Sequence, residues 1–129
     1  MLATLRAAAR ITTGSTYAIL GLDAARSPGP RVDMAAPTLA AIRNILPLPV
    51  SDETIVRSNG ALQAAAGVIL ISGYAKRPAA IALIASLIPT TMAGHAFWKI
   101  EDPLPRKMQT VQFQKNVAML GGLLFALCE

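Results

Sequence analysis

Residues 78–98 read PAAIALIASLIPTTMAGHAFW and contain no Asp, Glu, Lys or Arg. At about 1.5 Å of rise per residue, a helix of this length is about 30 Å long, which matches the hydrocarbon thickness of a bilayer. A core helix of a soluble protein rarely stays apolar on every face over such a distance, so we interpret these residues as a membrane-spanning helix. Lys76 and Arg77 precede it, and Trp98 and Lys99 close it, as interfacial anchors do.

The composition of the 129 residues favours one membrane domain that covers residues 1–129. Hydrophobic residues make up 53% of the chain and charged residues only 15%, a balance that soluble domains rarely show. The net charge of +5 comes from Lys and Arg residues that flank the apolar segments, so we expect membrane lipids, and no nucleic acid, as partners. The single cysteine, Cys128, excludes an intramolecular disulfide and a cysteine-based metal cluster.

Three further apolar segments have the length of helices, at residues 4–24, 52–74 and 110–128. Together with 78–98 they predict an all-α fold, a membrane four-helix bundle whose two termini lie on the same side. Residues 73–78 form a tight turn that begins with glycine, so the second and third helices are expected to be antiparallel neighbours.

The connection between the first two spans holds a shorter predicted helix. Two proline-rich breaks bound it, SPGP at 27–30 and LPLP at 46–49, and residues 37–46 place Leu39 and Ile42 on one face. We interpret 37–46 as an amphipathic segment that lies in the membrane interface. A lid over the end of the bundle is the alternative.

The charges favour two opposite orientations in the membrane. The chain ends and residues 76–77 hold four Lys and Arg, whereas the two longer connections hold eight Lys and Arg together with six acids. A strict count of Lys and Arg places the longer connections in the cytoplasm. The compact cationic N-terminus and turn favour the reverse, and we take cytoplasmic termini in a bacterial cytoplasmic membrane as the working interpretation.

Glycines recur at helical spacing in two of the four predicted spans, and a third span holds an adjacent pair. Gly14 and Gly21 lie two turns apart in the first span, and Gly60 and Gly67 do so in the second. Small residues at such positions let membrane helices approach closely. We therefore predict packing faces at these four glycines and at the Gly121–Gly122 pair in the last span.

Polar residues inside the predicted spans are the candidates for function. Antiparallel order places Asn59 and Gln63 of the second span in the same half of the membrane as His95, Lys115 and Asn116. We predict that these five residues converge as contacts for a quinone or a lipid, because unpaired polar groups are unfavourable in hydrocarbon. The alternative for His95 is a structural hydrogen bond to a backbone carbonyl or a headgroup.

The sequence holds no catalytic or metal-binding pattern. There is no Ser-His-Asp set, CxxC pair or phosphate-binding glycine loop, so we predict no catalytic residue in this chain alone. One histidine cannot supply both axial ligands of a bis-histidine haem, and Met92 lies on the same helix as His95. Because the acids lie in the connections, away from His95, we predict no metal site and no covalently bound cofactor.

Several motifs follow one another along most of the chain: Arg10 with Gly14 and Gly21, Gln63 with Gly67, the Gly73–Arg77 turn, the Gly-His-Ala-Phe-Trp end of the third span, and Asn116 in QFQKN with Gly121–Gly122. In this order they resemble the DoxX-like membrane proteins. The resemblance implies a four-helix integral membrane protein whose relatives are linked to membrane redox systems, including a quinone-reducing thiosulfate oxidoreductase and oxidative-stress complexes. Gln63 stands where such proteins often carry Glu. Because an amide exchanges no proton, this difference disfavours proton-coupled quinone chemistry at residue 63.

The predicted spans, without a catalytic set, indicate a membrane protein with an assembly role. Our leading interpretation is a non-catalytic accessory subunit that docks against other integral membrane subunits of a larger redox or respiratory complex. The alternative is a quinone- or lipid-binding redox subunit that uses His95, Asn59 and Gln63. A small transporter is disfavoured, because the broken-helix repeats of transporters are absent.

Overall fold

The computed structural model describes residues 1–129 and is all-helical, with 82% of the residues in helices and no strand. The predicted all-α class is confirmed. Five α-helices follow one another, and a short 3₁₀ helix at Phe97–Lys99 separates the last two: α1 at Leu2–Arg26, α2 at Arg31–Arg43, α3 at Asp52–Ser72, α4 at Lys76–Gly94 and α5 at Pro103–Leu127.

The four long helices α1, α3, α4 and α5 pack side by side and alternate in direction. The most extensive contact joins α1 to α3, followed by α3 to α4 and α4 to α5, and α5 returns to touch α1. We call the end that holds the α3–α4 turn the hairpin end. The opposite end, with connections 27–51 and 95–102, is the connection end. Helix α2 lies against α3 and α4 at the connection end.

Two helical segments are long and apolar enough to cross a membrane, judged by length and composition. They are Asp52–Ser72 and Lys76–Lys99, and only 22% and 28% of their most apolar windows are buried inside the molecule. Large apolar side chains of both segments are exposed, among them Leu62, Val68, Ile81 and Ile88. Helices α1 and α5 each have 25 residues but are less apolar on average.

Helix α3 is delimited by local sequence signals at both ends. The Ser51 hydroxyl accepts a hydrogen bond from the amide of Thr54 at 3.2 Å, and Asp52 and Glu53 lie at the positive end of the helix dipole. Gly73 ends the helix at a φ of 74°, in the left-handed region that favours glycine. Helix α4 then begins at Lys76, after a turn of three residues.

Three of the predicted helices, now α2, α4 and α5, have boundaries in the structure that differ from the predicted ones. Helix α2 covers Arg31–Arg43 rather than 37–46, because the helix starts directly after the Pro28–Pro30 break and Pro37 is accommodated inside it. Helix α4 ends at Gly94, so the predicted span 78–98 is completed by the 3₁₀ turn.

Helix α5 starts seven residues before the predicted 110. Asp102 caps it by accepting a hydrogen bond from the amide of Leu104 at 3.4 Å, and Pro103 occupies the first helical position. Proline at that position loses no helical hydrogen bond, because the first amides of a helix have no partner inside it. The sequence EDPLP is therefore a helix start, although it suggested a loop.

The core is small and lies among α1, α3, α4 and α5. Only 18 of the 129 residues are buried, so the chain cannot hold most of its apolar side chains inside. Leu70, Leu83 and Leu123 are fully buried at its centre, with Tyr17 of α1 packed against them. Other large apolar side chains, such as Ile19, Ile81 and Phe125, are exposed on the outer surface.

The α1–α3 contact is built on glycine. A Cβ atom on Gly14 would lie 2.6 Å from the carbonyl oxygen of Gly67, and one on Gly67 would lie 2.6 Å from that of Gly14. The same reciprocal approach joins Gly21 to Gly60, at 2.6 and 2.7 Å. These two crossing points leave no room for a side chain, so backbone packs directly on backbone.

The glycine pair of α5 has different surroundings. A Cβ atom on Gly122 would lie 3.2 Å from the hydroxyl of Thr13 on α1, whereas one on Gly121 would meet nothing within 4 Å. Gly122 thus lies in a contact inside the molecule, and Gly121 faces open space.

Candidate functional site

Asn59 and Gln63 of α3 are joined to α4 through one serine. The Ser86 hydroxyl donates to Asn59 Oδ1 at 2.7 Å and accepts from Gln63 Nε2 at 2.8 Å. Ser86 is only 4% exposed, so these bonds form away from solvent. The hydroxyl uses its donor and an acceptor at once, and it satisfies one polar group on each amide. Ser86 was not among the predicted site residues, and its signal in the sequence is a single hydroxyl within an apolar run.

A second set of polar contacts joins the α4 end of the bundle to α5. Asn116 Nδ2 donates to Thr91 Oγ1 at 2.9 Å, and His95 Nδ1 lies 2.7 Å from Gln109 Oε1. His95 is the residue that directly follows α4, as its C-cap. Gln109 was missed because the sequence analysis placed it in a connection, before the last helix.

The contact with Gln109 selects between the two tautomers of neutral His95. Where Gln109 presents its amide oxygen, which only accepts hydrogen bonds, Nδ1 of His95 carries the proton and donates it. The other ring nitrogen, Nε2, then keeps its lone pair and is an acceptor. Neutral His95 is thus arranged to accept a hydrogen bond at Nε2, whereas a contact with a quinone carbonyl would need a donor there.

The five predicted site residues lie near the middle of the helices or towards the connection end, but they do not form one cluster. Asn59 and Gln63 belong to the α3–α4 group, and Asn116 and His95 to the α4–α5 group, with no hydrogen bond between the groups. Lys115 is exposed and makes no hydrogen bond or ion pair. Most of these polar groups pair across the nearest helix contact rather than at one common point. Their role as quinone or lipid contacts stays a prediction.

An ion cluster lies at the hairpin end. Glu129 Oε2 lies 2.8 Å from Arg10 Nη1 and 3.4 Å from Lys76 Nζ, and the Glu129 side chain is 9% exposed. Burial of the Glu129 carboxyl opposes its ionisation, but the hydrogen bonds and charges of Arg10 and Lys76 outweigh burial and hold the pKa of Glu129 below its ordinary value. Lys76 was predicted as an interfacial anchor, and its ammonium group instead points to this carboxylate.

The other predicted anchors are exposed. Arg77 and Lys99 lie on the surface at opposite ends of α4 and its 3₁₀ extension. Trp98 is half-exposed and makes edge-to-face contacts with Phe97 and Phe113, at ring distances of 5.3 and 5.9 Å. This aromatic cluster fixes the 3₁₀ turn against α5.

Arg57 of α3 binds the C-terminal end of α1. Its guanidinium donates to the carbonyl oxygens of Ala25 and Arg26 at 2.7 and 2.8 Å, and it also pairs with Glu53 on its own helix. A cation at the negative end of the α1 dipole satisfies carbonyls that lack a helical partner. Arg57 was not predicted as a site residue, although a lone arginine in the first turns of an apolar helix indicates a specific partner.

Two cavities of the structure lie away from the predicted contacts. One of about 20 Å³, between α1 and α5, is lined by Arg10, Thr13 and Glu129 among others, and it has room for about one water molecule. An open depression lies beside Arg43 and Pro47. No three His, Cys, Asp or Glu side chains come together as a metal site.

No family model, curated protein or solved structure matches this chain. The likeness to the DoxX-like proteins therefore rests on the motifs in the sequence alone, and it stays a prediction.

Proposed function

We propose that the chain is a four-span, DoxX-like integral membrane protein of a bacterial cytoplasmic membrane. In this proposal it serves as a non-catalytic accessory subunit of a larger membrane redox complex. The observation that carries the membrane location is the outward apolar surface of all four long helices. Large apolar side chains are exposed along each of them: Ile11, Ile19 and Leu20 of α1, Leu62, Val68 and Ile69 of α3, Ile81 and Ile88 of α4, and Val111, Val117, Leu124 and Phe125 of α5.

The hydroxyl groups of the helices support an apolar environment. Thr12, Ser15 and Thr16 of α1 donate to carbonyl oxygens three or four residues earlier in the same helix, at 2.6–3.1 Å. Thr90 of α4 does the same to the carbonyl of Ser86 at 2.8 Å. Ser and Thr in membrane helices satisfy their hydroxyls in this way when no water is present.

On α1 and α5, charged residues bound a short apolar belt. Along α1, Arg10 and Asp23 are about 20 Å apart, and along α5 Lys115 and Glu129 are separated by a similar length, at about 1.5 Å per residue. A belt of about 20 Å is shorter than a hydrocarbon core of about 30 Å. Long Arg and Lys side chains that extend to the headgroups, together with local thinning of the bilayer, accommodate such a difference.

The assembly role is supported by how the polar and small residues are used. The predicted ligand contacts mostly bond to one another, and neither described cavity is lined by them. Four of the six predicted packing glycines close the α1–α3 contact inside the chain, and Gly122 touches α1. Gly121 remains open, so we infer that a helix of a partner subunit packs on the outward face of α5.

The test is extraction of the native protein in mild detergent, followed by mass spectrometry of the proteins that accompany it. We expect redox-enzyme subunits in fixed stoichiometry, and we expect Gly121→Leu to release them. Ala85→Leu on the outward face of α4 is the matched control and should retain them. A strictly monomeric protein with no accompanying subunit would contradict the accessory role.

A second candidate function, quinol binding, is favoured by the tautomer of His95. Because Gln109 holds the proton on Nδ1, Nε2 accepts a hydrogen bond from a hydroxyl such as that of a quinol. Lipid extracts of the purified protein should then contain quinol, and the amount should fall in His95→Ala. Equal amounts in both extracts would remove this candidate, and absence of both quinol and partner subunits would leave transport to be tested.

A further inference from the structure

The connection between α2 and α3 exposes a group of apolar side chains at the connection end. Ile45 is 90% exposed and Leu46 57%, and Ile42 and Val50 beside them are also exposed. These four residues are called the apolar tip. Residues 44–51 contain no charged side chain, so the tip is uncharged as well as apolar. A surface of this kind is unfavourable in water and suits an apolar environment.

The apolar tip is held in one conformation by Arg43. Its guanidinium forms an ion pair with Asp52, at the start of α3, and donates to the carbonyl oxygens of Val50 at 2.7 Å and Leu48 at 3.4 Å. Arg43 thus ties both ends of the connection together, and its charge is neutralised by Asp52.

The backbone before the prolines is fixed too. The amides of Ile45 and Leu46 donate to the carbonyl of Ile42 at 3.0 and 2.8 Å, which continues the last turn of α2. Pro47 and Pro49 then restrict the backbone that follows. An ordered connection that presents its largest apolar side chains outward is a built surface rather than a loose linker.

The position of the connection places the tip at the rim of the four long helices. Leu39 of α2 is buried, and the methyl group of Met34 lies close to Gly94, so α2 is packed onto α3 and α4. The connection then leads into α3, whose first turns carry Asp52, Glu53 and Arg57 before the outward apolar face at Leu62 and Val68 begins. The tip therefore lies beside the charged end of α3, at the level where we place the headgroups.

We propose that the apolar tip inserts into the phospholipid leaflet at the connection end, at the boundary between headgroups and acyl chains. Arg43 is the positioning residue that orients the tip. The proposal rests on the membrane location proposed above. It also revises the predicted interfacial segment, because the membrane contact is made by residues 42–50 and not by a helix at 37–46. Apolar groups at interfaces are buried about 5–10 Å into this boundary.

The test uses single nitroxide labels on the full chain in phosphatidylcholine vesicles, in a Cys128→Ser background. The collision rates of each label with O₂, which concentrates in lipid, and with a water-soluble nickel chelate measure its depth. We expect a label at Ile45→Cys to favour O₂ and to lie about 5–10 Å below the headgroups. A label at Glu101→Cys, in the other connection at the same end, should be in water.

Two comparisons separate the possible failures. A label at Val68→Cys on α3 should lie deep in lipid, and a water-exposed label there would overturn both the membrane location and this proposal. If residue 68 is in lipid but residue 45 collides with the nickel chelate as residue 101 does, only the insertion is wrong, and a protein partner would be the occupant of the tip.

The role of Arg43 has its own matched control. Arg43→Gln should shift the label at residue 45 towards water and increase its mobility, because the carbonyls of Leu48 and Val50 lose their donor. Arg31→Gln, at the other end of α2, removes an exposed ion pair with Asp23 of α1 and should leave the label unchanged. Equal depth in the two variants would overturn the positioning role.

Discussion

Substitution of Gly67 by alanine tests the close approach of α1 and α3 most sharply. A Cβ atom at this position would lie 2.6 Å from the carbonyl oxygen of Gly14 and 2.7 Å from the amide nitrogen of Ala18. Both are backbone atoms, so no side chain can rotate away. An ordinary contact begins at 3.4 Å, and the helices must therefore separate by about 0.8 Å. A gap of that size forfeits a quarter to a half of the dispersion energy of each contact, on the order of 0.1 kcal/mol per atom pair.

A second Gly→Ala variant separates the free-energy cost of overpacking from the gain in helix propensity. Overpacking of a close contact costs about 1–3 kcal/mol, and alanine in place of a helical glycine returns about 1 kcal/mol through helix propensity. Gly121→Ala receives the same propensity gain on α5, where a Cβ atom meets nothing within 4 Å. The difference in the free energy of unfolding between Gly67→Ala and Gly121→Ala should therefore be about 1–3 kcal/mol, with Gly67→Ala the less stable.

Unfolding by SDS in mixed micelles, followed by far-UV circular dichroism, measures this difference. Gly121→Ala should unfold at the same or a higher SDS fraction than the unsubstituted protein, and Gly67→Ala at a lower one. If the two variants agree within about 0.5 kcal/mol, the size of an ordinary surface effect, the direct backbone contact between α1 and α3 is refuted.

Three further predictions concern the polar contacts. Ser86→Ala leaves two amides without their partner and should destabilise the protein by about 1–3 kcal/mol in the same unfolding assay, whereas Ser58→Ala, at an exposed position of α3, should not. Gln109→Leu should abolish the preference of neutral His95 for a proton on Nδ1. The ¹⁵N NMR shifts of the imidazole ring measure this preference, and an unchanged tautomer would contradict the assigned contact. Because the pKa of Glu129 is lowered in the folded state, its ion cluster stabilises the protein above pH 4.5, the ordinary pKa. This stability is lost as the pH falls through the lower folded-state pKa. Glu129→Gln should remove that part of the pH dependence of unfolding, and a pH profile identical to that of the unsubstituted protein would refute the prediction.

The sequence was sufficient to predict the presence of the long helices, but not the hydrogen bonds that join them. Apolar runs and the Ser51 and Gly73 signals locate α3 and the turn that follows it, because these depend on local chemistry. The rotation of each helix about its axis is decided by the packing of all four long helices together. The hydrogen bonds to Ser86 and Gln109 depend on that rotation, so no local pattern indicated them.

Proline caused the largest errors in the helix boundaries. We interpreted Pro37 as a helix start and the Pro103–Pro105 segment as a loop, and the structure shows the reverse roles. Pro103 starts α5 because Asp102 caps it, and Pro37 lies inside α2. A proline can either end a helix or occupy its first turn. The residue before the proline distinguishes the two, because an aspartate there, such as Asp102, can cap the start of a helix.

The central claim, that all four long helices cross the membrane, is tested most directly by membrane-impermeant maleimide on single-cysteine variants in intact cells. The native Cys128, Arg6→Cys and Tyr74→Cys should lie on one side of the membrane, and Asp33→Cys and Glu101→Cys on the other. A protein with only α3 and α4 in the membrane would instead place residue 6 with residue 33 and residue 101 with residue 128, leaving residue 74 alone on the opposite side. The first pattern is the one we predict, and the second would contradict the account.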